Sequence, residues 1–470
     1  MTKIQRIRDP LHNLVLFGNQ KRLKELDKVL WKVVNSRPLQ RLRQIKQLGF
    51  SDIVYPGASH SRFAHSLGAM QTARQLIEII QRHPQTSRIE EEFKAIIAAL
   101  VHDVGHGPFS HAFEEVGKLR RFRWPNHEDR GEKIILNGEI AEILGEFGGE
   151  YVSGVADMIK KEKLHSSMHS AVVSSQFDAD RLDYMRRDRL MTGCGHSAVD
   201  FPWLLENLRI EDVSTGVDEE DYGTVPTFVI GPKAIHAVET YILDLFQLYP
   251  TVYLHKTTRG AVKIFVELFA RLIDEIRDNR AQEVGLPEEH PLVLFAKDPE
   301  NLERFLSLDD TVISGAIPQL RNSKDPLISE FARRLQDRKL YKCIDIRALV
   351  QDEINPENKK SLVEVVDKTC IDIRGRLDEI REENKKSSPV PRILIDETSR
   401  SAYQKSGEGK DLQNRIHIMT NRGEPEDLSK HSEVVAGIEV FKVLRAYYPD
   451  GPDGTASKTA INNTIKEFLK

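Results

Sequence analysis

Between residues 60 and 80 the apolar positions Phe63, Leu67, Met70, Ile77 and Ile80 recur at spacings of three, four and seven. That period lays one buried stripe along an amphipathic helix. In EEFKAIIAALVHDVGH the residues Ile96, Ile97, Leu100, Val101 and Val104 repeat the pattern, and Gly105 and Gly107-Pro108 stop it. This reading puts His102 and Asp103 on the helix, with His106 one turn further along the same face. A third helix is predicted within SSQFDADRLDYMRRDRLM, closed by Thr192-Gly193, and a fourth from Pro232 to an interruption at Pro250. Between those two, the apolar runs NLRI and TVPTFVIG flank the acidic stretch EDVSTGVDEEDYG, which predicts a hairpin.

Beyond about residue 290 the pattern changes. Residues 352–386 are charge-rich with a thin apolar stripe, and SSPVP at 387–391 reads as an extended connector into a short strand, RILID. NRGEPEDLSKHS and YPDGPDGTAS read as loops, and no internal repeat is visible. The predicted fold class is mostly α, with a helical core, small β-hairpin insertions and a C-terminal α+β lobe.

Composition narrows the function classes. A chain of 470 residues with 40% hydrophobic positions allows one large core plus a lobe. The longest apolar runs, such as 95–101, are too short to span a bilayer, and no apolar segment follows MTKIQRIRDP as a secretory signal would require. Three widely spaced cysteines fit neither a disulfide framework nor a CxxC metal site, which favours a reducing compartment. A cytoplasmic protein without membrane association is expected. A net charge of −4 gives no general attraction to nucleic acid, so that partner is not favoured. An anionic substrate must be gathered by a local basic site.

The sixteen histidines concentrate in GASHSRFAHS (His60, His65), LVHDVGHGPFSH (His102, His106, His111) and WPNHEDRG (His127). A single histidine is most often structural. The adjacent pair His102-Asp103, set against an apolar surface, needs partners for both polar groups, and a divalent metal satisfies both. Asp180, Tyr184 and Asp188 fall at i, i+4 and i+8, flanked by Arg181; a solvated helix face looks the same. Arg62 lies one turn before His65, where a phosphate site would place an arginine.

Through RDPLH, QRLRQIKQLG, PGASHSRFAHSLG, HDVGHGPFSH, NHEDRG and FDADRLDYMRRD, the chain resembles the HD superfamily over about residues 5–265. Within it, the chain is similar to the bacterial and animal deoxynucleoside triphosphate triphosphohydrolases. HD alone is a weak dipeptide, whereas the ordered series around HDxGHGPxSH is highly specific. The resemblance implies an HD-domain core at about residues 50–200, within a catalytic region 1–290 followed by a lobe 291–470. It implies metal ligation by His65, His102, Asp103 and Asp180, catalysis by His106 and His127, and support from His111. Arg62 and Arg181 match polyphosphate contacts, Gln47 and Leu48 flank the sugar, and Tyr184 and Asp188 match residues at the deoxyribose and its 3′-hydroxyl. Tyr253 is expected near the base, with Tyr249 and His255 as alternatives.

The cofactor expected is one divalent ion: Mg, Mn, Fe, Ni or Zn. The implied reaction converts dGTP and other deoxynucleoside triphosphates to deoxynucleoside and inorganic triphosphate. The alternatives are a phosphohydrolase of another nucleotide or a nucleic-acid end, and a nucleotide-binding regulator. A homo-oligomer, dimer or tetramer, is also implied. Gln40 and Arg43 match part of a regulatory nucleotide site in the animal enzymes, but Arg8 and Asn35 replace an asparagine and an aspartate there. That pattern is incomplete.

Overall fold

The computed structural model describes residues 4–18, 24–83, 85–160, 167–196, 198–214, 224–354, 359–404 and 415–469. Helices carry most of the chain, with three small sheets among the described residues. None of the described helices is long and apolar enough to cross a membrane. The chain divides into two compact units. The first comprises Met1–Glu114, Arg123–Pro250 and Ser401–Glu439; the second comprises Glu115–Phe122, Thr251–Arg400 and Val440–Lys470.

The first unit opens with an antiparallel hairpin, Gln5–Asp9 against Asn13–Phe17. Asp9 makes its turn: Oδ1 accepts from the backbone N–H groups of Leu11 and His12, each at 2.9 Å. Helix Arg62–Gln81 starts at Ser61, whose hydroxyl accepts from the Ala64 N–H. Its predicted stripe of Phe63, Leu67, Met70, Ile77 and Ile80 is buried, between helices Ile89–Val101 and Ala179–Thr192. Gly68 lies where the last of these crosses. A Cβ at Gly68 would run into the Asp183 carboxylate and the Arg187 guanidinium, so the missing side chain brings the two helices into register. Asp178 caps helix Ala179–Thr192 through the Arg181 N–H at 2.8 Å, and Gly193 ends it in the left-handed region at φ 74°.

Helix Ile89–Val101 stops earlier than its apolar pattern predicts. His102, Asp103 and His106 lie on the turn beyond it rather than on one helical face. Val104 N–H bonds to the Val101 carbonyl at 3.1 Å and His106 N–H to the Asp103 carbonyl at 3.0 Å. The turn presses Gly105 against helix His127–Leu136, where any Cβ would meet the His127 carbonyl and the Gly131 backbone. Contact with that helix overrides the periodicity.

The predicted hairpin forms from Leu208–Ser214 and Thr224–Ile230, with Ile210 opposite Phe228. Its acidic connection, 215–223, lies outside the described residues. Strands His417–Met419 and Pro425–Asp427 extend it to four strands, the first of them parallel to Thr224–Ile230. Helix Ile235–Leu248 gives way at Tyr249 to a π-helical turn that contains Pro250.

In the second unit, strand Phe441–Tyr448 lies between Lys342–Asp345 and Leu394–Arg400, antiparallel to both. The thin stripe of helix Lys359–Lys385 is real: Val366, Cys370, Ile373 and Leu377 are buried with Ile346, Val350, Leu444, Ile461 and Ile465. Two expected loops fold. Helix Pro452–Phe468 begins inside YPDGPDGTAS, with Pro452 in the first turn and Gly451 supplying the φ of 82° that enters it. Within NRGEPEDLSKHS, strand Pro425–Asp427 runs into the helical turn Leu428–His431, for which Asp427 is the N-cap.

Candidate metal and proton-transfer site

Three elements of the first unit bring His65, His102 and Asp180 close enough to hold a metal, with Asp103 beside His102. His65 comes from the first turn of Arg62–Gln81, His102 and Asp103 from the turn after Val101, and Asp180 from the first turn of Ala179–Thr192. His65 Nε2 lies 2.9 Å from Asp180 Oδ1 and 3.2 Å from His102 Nε2, and the last is 3.6 Å from Asp180 Oδ1. Asp103 closes the group, with Oδ1 3.4 Å from His102 Nε2 and Oδ2 3.9 Å from His65 Nε2.

Both rings are fixed from behind. His65 Nδ1 donates to Asp183 Oδ2 at 2.9 Å, and His102 Nδ1 donates to the Ala99 carbonyl at 2.9 Å. Each Nε2 therefore turns a lone pair toward the other, with carboxylate oxygens alongside. Such a set demands a cation, and two imidazoles with two carboxylates suit a divalent first-row metal. Without a metal the cation is a proton: burial opposes a charged His65, but Asp180 and Asp183 outweigh it and push its pKa up to about 10.

A second group adjoins the first. The rings of His106 and His127 stack at 3.8 Å between centroids, and His106 Nε2 is 3.3 Å from Asp103 Oδ1. Glu114 gathers the others: Oε1 accepts from His127 Nδ1 at 2.6 Å, and Oε2 accepts from His111 Nδ1 at 3.1 Å. Burial alone would raise the Glu114 pKa, but the bonds from His111 and His127 hold it well below the usual carboxylate range. His106 is held well below the usual imidazole range by burial, then by the positive charges of Arg62 and His127. The ligand atoms of His106, His111, Glu114 and His127 lie within 4.8 Å of one another, close enough for a metal. Stacked rings and two N–H groups already committed to one carboxylate fit proton transfer better. Glu114 escaped the sequence reading; its one signal is its place three residues after His111, common in any helix.

Arg62 is buried and donates to Asp103 Oδ2 and Ser110 Oγ, both at 2.7 Å. Ser110 and Phe109 hold left-handed backbone angles of 57° and 54°, uncommon for residues with side chains. Gln47 N–H bonds to the His60 carbonyl at 3.0 Å, while its buried Oε1 has no partner among the described residues; half-buried Leu48 follows it. Arg181 leans toward Asp178, and Tyr184 stands 6.4 Å from the His65 ring, with Tyr241 and Tyr249 near both. Asp188 is buried and accepts from His60 Nε2 at 2.9 Å, so this end of the stripe Asp180, Tyr184 and Asp188 faces inward rather than to solvent. Tyr249 belongs to the first unit, where its hydroxyl donates to the Ser401 carbonyl at 3.0 Å; Tyr253 and His255 belong to the second. Arg43 donates to Gln40 Oε1 at 2.8 Å and lies over the Phe63 ring.

The HD domain family model matches residues 62–185, a span that holds both groups. Fold and matched segment define an HD domain. The chain is 30% identical over 450 residues to the uncharacterized protein YwfO of Bacillus subtilis, covering 94% of this chain and 91% of that one. It belongs to the family of HD-domain proteins that includes YwfO. The deoxynucleoside triphosphate triphosphohydrolase SAMHD1 homolog of Dictyostelium discoideum is 27% identical over 336 residues, which cover 68% of this chain. The match spans only 58% of that longer relative. A crystal structure of a phosphohydrolase from Bacteroides thetaiotaomicron shares the fold, with a TM-score of 0.70 at 22% identity over 95% of this chain and 100% of that one.

Proposed function

We propose that this HD phosphohydrolase domain hydrolyses deoxynucleoside triphosphates to deoxynucleoside and inorganic triphosphate. One observation carries the reading: Asp103 joins the two groups, its Oδ1 3.4 Å from His102 Nε2 and 3.3 Å from His106 Nε2. A metal-ligating set and a proton-transfer set side by side are what hydrolysis of a phosphoester with a poor leaving group needs. The triphosphohydrolase named among the relatives supports the choice of substrate.

In this proposal His65, His102, Asp103 and Asp180 hold one divalent ion. Bound there, such an ion supplies a Lewis acid for the phosphoryl group and a lowered pKa for water. The chain's own residues do the rest. Water adds at the α-phosphorus and releases a proton to solvent, the bond from phosphorus to the 5′-oxygen breaks with its electron pair on oxygen, and His127 gives that oxygen a proton from Nε2 and regains one from solvent. Glu114 stays ionised and keeps the His127 Nδ1 proton in place. Arg62 and Arg181 offset phosphate charge. Tyr184 packs on the sugar, Asp188 accepts from its 3′-hydroxyl, and Gln47 and Leu48 line its edge. A homo-oligomer belongs to the same proposal.

The test is turnover of dGTP in competition with GTP, with products resolved by ion-exchange chromatography. An added 2′-hydroxyl buried against Tyr184 without a partner costs about 2 kcal/mol, which is roughly thirtyfold in kcat/KM. Inorganic triphosphate from dGTP, at least tenfold faster than from GTP, is expected. Orthophosphate as the sole product, or equal turnover of both, would overturn the substrate assignment.

A further inference from the structure

Behind His65 lies a closed loop of buried polar groups, none of them a metal-ligand or proton-transfer residue, of which only Asp183 touches the ligand set. Asp183 takes four hydrogen bonds. Oδ2 accepts from His65 Nδ1 at 2.9 Å and Arg187 Nε at 2.8 Å; Oδ1 accepts from His12 Nε2 at 2.7 Å and Arg187 NH2 at 3.0 Å. An ionised carboxylate only accepts, so Asp183 fixes protons on His65 Nδ1 and His12 Nε2. The other side of Arg187 donates to Asp9, at 2.8 Å to Oδ2 and 3.3 Å to Oδ1. Asp9 Oδ1 in turn accepts from the backbone N–H of His12, which completes the loop. The side chains of His12, Asp9, Asp183 and Arg187 are 6%, 3%, 0% and 0% exposed.

Burying two carboxylates, a guanidinium and an imidazole is a poor way merely to fasten a hairpin, since apolar contacts would do so without desolvating charge. What the loop adds is a carboxylate held in one orientation directly behind a ligand imidazole. Were Asp183 to turn toward Arg187 alone, His65 would lose the acceptor that keeps its proton on Nδ1, and Nε2 would no longer be committed to ligation. The hairpin turn resists that rotation by placing His12 on the second oxygen. The motif RDPLH supplies both Asp9 and His12.

We propose that the N-terminal hairpin is part of the metal centre. Asp9 and His12 hold Asp183, Asp183 holds His65 in its ligating tautomer, and His12 is a positioning residue for metal binding. The claim concerns metal affinity, so it stands or falls independently of the substrate.

The experiment titrates the chelator-stripped full chain with cobalt(II), following the visible absorption of the bound ion, for wild type, His12→Ala and His12→Gln. Melting of each metal-free protein is recorded beside it. Loss of an outer partner of a ligating histidine weakens metal binding about 10–100-fold. His12→Ala should therefore bind cobalt about tenfold more weakly while its metal-free form melts close to wild type. His12→Gln, whose side-chain N–H reaches the same oxygen, should regain most of the affinity. Asp9→Asn, which removes the charge facing Arg187, is read in the same way if His12→Ala does not fold, and should also bind cobalt more weakly. Wild-type cobalt affinity in His12→Ala, or in Asp9→Asn where that variant stands in, overturns the proposal. Equal weakening in His12→Ala and His12→Gln, with both metal-free forms destabilised alike, overturns it as well.

Discussion

Glu114 shows how much of the chemistry rests on a residue with no motif of its own. Its Oε1 accepts from His127 Nδ1 at 2.6 Å, which keeps a proton on that nitrogen and orients the ring. Replacing it by glutamine keeps the volume and removes the charge. Glu114→Gln should lower turnover by about 10²–10⁴-fold, the usual worth of positioned proton transfer, with metal content unchanged by elemental analysis. Turnover within a factor of about two of wild type would remove the dyad from the mechanism. At this scale the sequence exposed residues carried by dense motifs: His65, His102 and Asp180, with Asp103 beside them, come together where PGASHSRFAHSLG, HDVGHGPFSH and FDADRLDYMRRD pointed. It hid which of them pair with distant partners. His60 and Asp188 meet at 2.9 Å across 128 positions of chain, and Asp183 reaches His12 across 171. Neither pair has a local spacing to detect.

At the scale of elements, periodicity located the site helices but not their ends. The apolar stripe continues to Val104, yet the helix stops at Val101, and the chain turns to set Gly105 against the backbone of helix His127–Leu136, where no Cβ fits. Helix Pro452–Phe468 was masked by the Pro and Gly of its first turn, although Ile461 and Ile465 behind them are buried. A different constraint acts inside the second unit, where Arg259 of helix Lys256–Arg277 donates to Asp396 of strand Leu394–Arg400, Nε to Oδ2 at 3.0 Å, and to Glu115 Oε1 at 2.9 Å. Burial alone would raise the Asp396 pKa, but the bond and charge of Arg259 hold it below the ordinary 3.8. A carboxylate depressed in the folded state adds stability that is complete above its unfolded pKa and is lost as pH falls through the folded value. Melting temperature should therefore drop as pH is lowered from about 5 to about 3, and Asp396→Asn should flatten that part of the profile. An Asp396→Asn profile parallel to wild type would show that this pair does not carry the acid sensitivity.

For the whole molecule, one contiguous reading of the chain misses how the units are assembled. Residues 401–439 return to the first unit and add His417–Met419 to its sheet, a contact between segments far apart in sequence. The fold class was legible because long amphipathic helices dominate it; the return was not, because parallel pairing leaves no turn signal between the partners. We propose for the whole molecule that, with one divalent metal bound, water reaches the α-phosphorus of a deoxynucleoside triphosphate while the Glu114–His127 pair protonates the leaving 5′-oxygen. The most direct test is hydrolysis of dGTP in ¹⁸O-water by the metal-loaded full chain, with the label located by mass spectrometry. Attack at the α-phosphorus puts one ¹⁸O in inorganic triphosphate and none in deoxyguanosine, which is the expected result. Label in orthophosphate accompanied by dGDP, or in the sugar hydroxyl, would contradict it.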